Sequence, residues 1–333
     1  MIPTIFMSIH TVCFLIGCSL NLFLCYVAFF HSPTLIKTYS IIVINVALTN
    51  VGACVCDFLI QQRMIPSGFK LFYISYGPCT KAGPEMCFDV YAVMLHFYSH
   101  SLWLLFLAFG YRLYVMLRRE PSRWILQLII FIVYIPSLTM MISLILDHSN
   151  PETVRKELKV GFPNYTLSGL TVSGSADSLR FAPMFAIIHM TVLSTPIAIG
   201  ILLLRRKIIE HLTHKGVDLT SKTRNLHAQL LRVSVLGLLE QFLFQALTLQ
   251  ATIPVFYLLG VACYFVCQFG IWSHPILEFS IFTCFLLVPI LTPLSSLIYV
   301  SPYKCFVLRI LRDHQTEDSR AKLHTTSVIT QGQ

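Results

Sequence analysis

Long apolar runs recur along this chain, parted by short polar connectors. Between Phe88 and Gly110 about 23 residues pass with one carboxylate and no Lys or Arg, and at 1.5 Å per residue such a helix crosses a ~30 Å hydrocarbon slab. Comparable runs predict spans over 2–30, 39–60, 88–110, 124–146, 181–204, 233–262 and 276–300. The runs are continuous and too long for the short alternating strands of a membrane β-barrel. The pattern therefore predicts an all-α membrane protein, a seven-transmembrane-helix bundle over 1–304 followed by a polar tail over 305–333 that is partly disordered. The first run carries no ionised residue before Lys37 and neither a basic n-region nor a small-residue cleavage site, which is the expectation for an uncleaved first helix. The connectors over 61–85 and 147–180 are expected to be polar loops.

Composition agrees. Hydrophobic residues make up 56% of the chain and charged residues 12%, with a mean hydropathy of +0.72, outside the range of soluble globular domains. Of the 24 Lys and Arg, 17 fall in the first, third and fifth connectors and the tail, and 7 in the others. The positive-inside rule then predicts an amino terminus outside and a carboxyl terminus inside. The net charge of +9 is largely this bias; the basic residues form no compact domain, so nucleic acid is not an expected partner.

Polar groups inside the spans carry the candidate chemistry. On the third span Asp89, His96, His100 and Trp103 share one helical face, and a charged face of this kind is costly against lipid. The sixth span holds Glu240, Gln241, Gln245 and Gln250, and the seventh opens with Glu278. Two readings follow: a ligand pocket lined by Asp89, His96, His100, Trp103, Gln250 and Glu278 with a deeper polar latch, or interhelical hydrogen bonds that only hold the bundle. For the set as a whole the pocket is favoured. Pro136, Pro196, Pro254, Pro289 and Pro293 each remove a backbone donor in or near a span, so the freed carbonyls need other partners.

Of the 11 cysteines, Cys79 and Cys87 flank the start of the third span and Cys263 and Cys267 the end of the sixth. A disulfide using Cys79 or Cys87 is expected on an oxidising outer face, with the pairing open. The loop 147–180 holds no Cys, so no bridge can join it to the third helix. His96 and His100 stand four apart but match no metal motif, and two histidines satisfied by neighbours are expected. Asn164-Tyr165-Thr166 is an N-glycosylation acceptor on the side placed outside. No nucleophile, base and oxyanion set is visible, and neither an enzyme nor a cofactor is expected.

Several stretches resemble a known family. Asn21 near the end of the first span, the entry Lys37-Thr38-Tyr39-Ser40-Ile41 and then Asn45 resemble the nematode seven-helix chemoreceptors of the Str superfamily. Tyr76-Gly77-Pro78-Cys79, Tyr111-Arg112, Gln245-Ala246-Leu247-Thr248, Gln250-Ala251, Ile253-Pro254 and Pro302-Tyr303-Lys304 are most similar to the Srd (serpentine receptor class delta) type. Asn50 stands where relatives often carry Asp, and Lys304 where Arg is usual. Tyr111-Arg112 and Thr292-Pro293 replace the acidic-Arg-aromatic and Asn-Pro signatures of rhodopsin-like receptors.

The resemblance implies a GPCR-like, olfactory-type chemosensory receptor in the plasma membrane of a sensory neuron, at its cilium. Its implied partners are an odorant or other small chemical cue, a heterotrimeric G protein and the lipid bilayer. Differential ligand affinity for two states of the bundle would shift their populations. Tyr111, Arg112, Glu240, Gln245, Pro254, Pro302 and Tyr303 are the expected switch and coupling residues. The rival classes are a small-solute transporter, which should show repeats or Gly-rich half-helices, and a ligand-gated channel, whose amino terminus should lie inside.

Overall fold

The computed structural model describes residues 1–214, 236–300, 302–309 and Arg312. Among them seven helices are long and apolar enough to cross a bilayer: Ile2–Phe30, Lys37–Ile60, Pro84–Leu117, Arg123–Leu146, the fifth span from Phe181 to His214, Leu236–Gln268 and Pro275–Tyr299. The third helix is longer than its apolar run at both ends. Its 34 residues make roughly 50 Å, more than a bilayer core requires. Polar residues at the ends of a span can extend its helix into the interface, and hydrophobicity alone does not register them. The fifth and sixth helices likewise run past 204 and 262. The expected entry to the sixth span over 233–235 lies outside the described residues, as does most of the tail; 302–309 form a short helix.

Local chemistry sets several helix starts. Ser122 accepts from the Ile125 N–H at 3.4 Å, and His274 Nδ1 accepts from the Ile276 N–H at 3.2 Å; such caps meet amides that a helix leaves unpaired in its first turn. The seven spans place the amino terminus and three connectors at one end of the bundle, here the sheet end, and the remaining connectors and the tail at the other.

The sheet end departs from the loops expected over 61–85 and 147–180. Gln61 adopts φ 44° and turns the second helix directly into β1 (Gln62–Ser67), which pairs antiparallel with β2 (Lys70–Ser75) and β2 with β3 (Thr171–Ser175). Gly68, at φ 56°, makes the hairpin turn, a conformation open to glycine without steric cost. Gly174 has φ 148°, and a Cβ there would stand 2.1 Å from the Leu71 carbonyl oxygen, so β3 packs as it does only with glycine. One face of the sheet, with Ile65, Phe72, Ile74 and Val172, packs against Val154 and Leu158 of the amphipathic helix Pro151–Gly161. Asn150 caps that helix through the Glu152 and Thr153 amides, and Lys70 pairs with its Glu157. The opposite face, with Met64, Leu71 and Tyr73, belongs to the main core. Burial on both faces explains why β2 reads Leu-Phe-Tyr-Ile without alternation.

Polar side chains tie the spans together. His10 Nδ1 lies 2.6 Å from Asp57 Oδ2, and its Nε2 3.1 Å from Thr283 Oγ1, joining the first, second and seventh helices. Near mid-bundle, Asn21 Nδ2 donates to the Pro289 carbonyl at 2.7 Å, Asn50 Nδ2 donates to Asn21 Oδ1 at 3.2 Å and Ser101 donates to Asn50 Oδ1 at 2.8 Å.

Candidate functional site

Beneath the sheet the bundle holds an apolar cavity, partly open at its mouth. Met64, Leu71, Tyr73 and Ser175 of the sheet form its roof. Phe88, Tyr91 and Leu95 of the third helix, spaced to share one helical face, form one wall, with Val261 and Tyr264 of the sixth and Ile281, Phe282 and Phe285 of the seventh opposite. The fifth helix supplies Met190 and Thr191 through a single widened turn, in which the Leu193 N–H donates to the Ile188 carbonyl, five residues back, at 3.1 Å. The extra residue brings His189, Met190 and Thr191 inward consecutively, where an ordinary turn would expose one of them; such turns are frequent at functional sites. His189 Nε2 meets Ser99 Oγ at 2.6 Å.

The cavity is apolar with a few hydroxyls. Tyr73 donates to Tyr91 at 3.0 Å, and Tyr257 donates to Met190 Sδ at 3.2 Å. Burial, followed by the neighbouring Tyr91, pushes the Tyr73 hydroxyl well above the ordinary tyrosine range, so it remains protonated and able to donate.

The six residues expected to line one pocket are distributed otherwise, and none of them lines this cavity. His96 and His100 stack with ring centroids 6.0 Å apart and both meet Tyr134 of the fourth helix edge-on, at 4.5 and 4.8 Å. Their helical face points at the fourth helix, and the adjacent face carrying Phe88, Tyr91 and Leu95 takes the cavity. Asp89, partly exposed, pairs with His148 at 2.7 Å. Trp103 packs edge-on against Phe106. Gln250 lies toward the other end of the bundle, against Arg112.

Glu278 is 1% exposed and forms an ion pair with Arg63 of β1 at 2.5 Å. It also accepts from the Tyr165 hydroxyl at 2.9 Å and from Ser273 at 3.3 Å. Burial by itself would lower the Arg63 pKa; the Glu278 charge and hydrogen bond outweigh it and raise the value. Arg63 and Tyr165 were not legible as partners, because each sits in a connector far from Glu278 in sequence and only the folded sheet brings them together.

At the tail end Arg112 of the third helix is held by two others. Its guanidinium donates to Gln250 Oε1 of the sixth and, at 2.5 Å, to the Tyr39 hydroxyl of the second. Gln250 in turn donates to Ser295 of the seventh at 3.2 Å. Tyr111 donates to Glu120 at 3.0 Å. Tyr303 is fully buried and meets Ser32 Oγ at 2.9 Å, following Pro302 at the start of the short terminal helix. Pro254 lies inside the sixth helix. Glu240 and Gln245 sit on the same helix, and their side chains lie outside the described residues.

Cys79 and Cys87 are bridged to each other, with Cα atoms 5.2 Å apart, so the pairing left open by sequence is local. Cys263 and Cys267 are free thiols, turned into the bundle where no described cysteine forms a bridge with them. Asn164 is exposed in a turn at the sheet end. No cluster of three metal-binding side chains occurs among the described residues.

The chain matches the family described as serpentine type 7TM GPCR chemoreceptor Srd over residues 6–309. Serpentine receptor class delta-19 of Caenorhabditis elegans is 37% identical over 302 residues, covering 90% of this chain and 85% of the relative. Class delta-18 of the same organism is 36% identical over 301 residues, covering 89% and 86%. Squid rhodopsin, at 16% identity, superimposes with a TM-score of 0.58 over 96% of this chain and 91% of its own, a likeness of fold. The family is one of receptors and not of enzymes. A seven-helix bundle, a family match over nearly the whole chain and relatives above one-third identity together make this multi-pass membrane protein a member of the serpentine class delta chemoreceptors.

Proposed function

We propose that this chemoreceptor binds a small molecule in the cavity beneath the sheet and signals to a heterotrimeric G protein at the tail end. In this reading the sheet end, with the amino terminus and Asn164, lies outside the cell; the region from 305 on is the cytoplasmic tail. The distribution of Lys and Arg supports that orientation, and Asn164 is then available for glycosylation. The single observation carrying the reading is the pairing of an apolar cavity at one end with the Arg112 contacts at the other. A ligand that binds the two states unequally shifts their populations. Opening the tail end would part Arg112 from Gln250 and Tyr39 and expose it beside the basic ends of the third and fifth helices. The proposed location is the plasma membrane, at the sensory cilium of a neuron.

The test is a panel of volatile and water-soluble compounds applied to cells expressing the receptor with a calcium reporter. At least one compound should raise calcium, and Arg112→Ala should abolish that response while surface expression persists. No response to any compound, or equal loss of response and expression, would overturn the coupling role. An amino-terminal tag reached by antibody on intact cells checks the orientation; a tag reached only after permeabilisation would favour a channel.

A further inference from the structure

Among the described residues, the cavity lining contains no Asp, Glu, Lys, Arg or His. The nearby carboxylates are engaged elsewhere, Asp89 with His148 and Glu278 with Arg63 and Tyr165. An ionised guest would lose its hydration without gaining a counter-charge, a penalty of several kcal/mol in a low-dielectric site. Phe88, Phe282 and Phe285 instead offer apolar surface to an uncharged body.

The hydroxyls narrow the chemistry further. Ser175 donates to the Asp177 carbonyl at 2.9 Å and Thr191 to the Ile187 carbonyl at 2.6 Å, so both are committed. Tyr73 and Tyr91 share one hydrogen between them; whichever donates, the other hydroxyl keeps a hydrogen with no acceptor among the described residues. The Tyr264 hydroxyl, lining the same cavity, makes no hydrogen bond with a described residue. Two hydroxyl hydrogens on residues lining this cavity therefore have no acceptor among the described residues, and buried phenols ordinarily have one.

Building on the receptor reading above, we infer that the cavity takes an uncharged, largely apolar molecule bearing a hydrogen-bond acceptor, such as a carbonyl, ether or ring nitrogen. The Tyr73–Tyr91 pair and Tyr264 donate to that acceptor, and the aromatic walls hold the rest. Amines and carboxylates are rejected for want of a counter-charge, and hydrocarbons are held more weakly because both donors stay unmet.

The test uses matched skeletons on the purified full-length receptor, with thermal unfolding followed by tryptophan fluorescence. One set is acetophenone, ethylbenzene, α-methylbenzylamine and benzoate; the other is the corresponding cyclohexyl ketone, hydrocarbon, amine and carboxylate. Because a ligand of the native state raises its melting temperature by mass action, the ketones should stabilise the receptor, with affinity a few-fold to about tenfold above their hydrocarbons. The charged members should have no effect. Tyr264→Phe should narrow the gap between ketone and hydrocarbon, and Tyr73→Phe, Tyr91→Phe and Tyr264→Phe combined should close it. An amine or carboxylate that stabilises as strongly as the ketone, a ketone no better than its hydrocarbon, or no stabilisation by either skeleton would overturn the inference. Should a variant fail to fold, the wild-type comparison alone decides. A charged compound that triggers the calcium response would leave the receptor reading standing and remove this one; ketones that bind without signalling would do the reverse.

Discussion

Asn21 of the first helix donates its side-chain amide to the carbonyl of Pro289 in the seventh, at 2.7 Å. Pro293 stands four residues after Pro289 and has no N–H to give, so this carbonyl lacks its normal helical donor. Asn21 supplies the missing hydrogen from a neighbouring helix, and Asn50 and Ser101 extend the chain of hydrogen bonds to the second and third helices.

Replacing Asn21 by Leu should lower the melting temperature of the purified receptor. Interhelical hydrogen bonds in membranes average only about 0.6 kcal/mol, but this change leaves a buried carbonyl and the Asn50 amide unmet, a cost of about 1–3 kcal/mol. An Asn21→Leu receptor that melts with the wild type would show that the Pro289 carbonyl needs no such donor.

The Arg63–Glu278 pair fastens the roof of the cavity to the seventh helix. Glu278→Leu strands a buried guanidinium and should cost about 3–5 kcal/mol, enough to abolish surface expression in a marginally stable receptor. Glu278→Gln keeps one acceptor oxygen, for either Arg63 or Tyr165, and should be milder. Surface staining and melting of both variants check the order; equal behaviour would mean that the charge is irrelevant.

Gln250 couples Arg112 to Ser295, and a hydrogen bond to a charged group is worth about 1.5–3 kcal/mol. If these contacts favour the resting state, Gln250→Leu should raise ligand-independent signalling by roughly tenfold, whereas Arg112→Ala should silence it. Calcium or cyclic-nucleotide reporters in unstimulated cells measure both. A silent Gln250→Leu receptor at normal surface density would argue against a resting-state lock.

The Cys79–Cys87 bridge closes a short loop where β2 leads into the third helix. By loop-closure entropy, Cys79→Ser should destabilise by about 2–3 kcal/mol, and mild reductant should shift the wild type in the same direction. Melting with and without reductant tests this, with Cys79→Ser expected to be insensitive to reductant.

The seven spans were readable because twenty-residue apolar runs have few alternative fates, and Arg112 stood out as a cation closing an apolar helix. The cavity was not readable from the polar stripe on the third helix. His96 and His100 draw the eye as intramembrane imidazoles, yet a helix facing several neighbours offers each a different face, and theirs meets Tyr134. Phe88, Tyr91 and Leu95 carry the right spacing but look like ordinary core. The sheet leaves no pattern in the sequence because strands buried on both sides lose their alternation, and the pairing of β2 with β3 joins residues about a hundred positions apart.

The widened turn at Ile188–Val192 has a consequence for mapping experiments. One inserted residue advances the helical phase by about 100°, so cysteine-accessibility scanning along the fifth span should give two modification rhythms that fall out of step near Met190. Anyone extrapolating lipid-facing positions from one half into the other would mutate the wrong side of the helix.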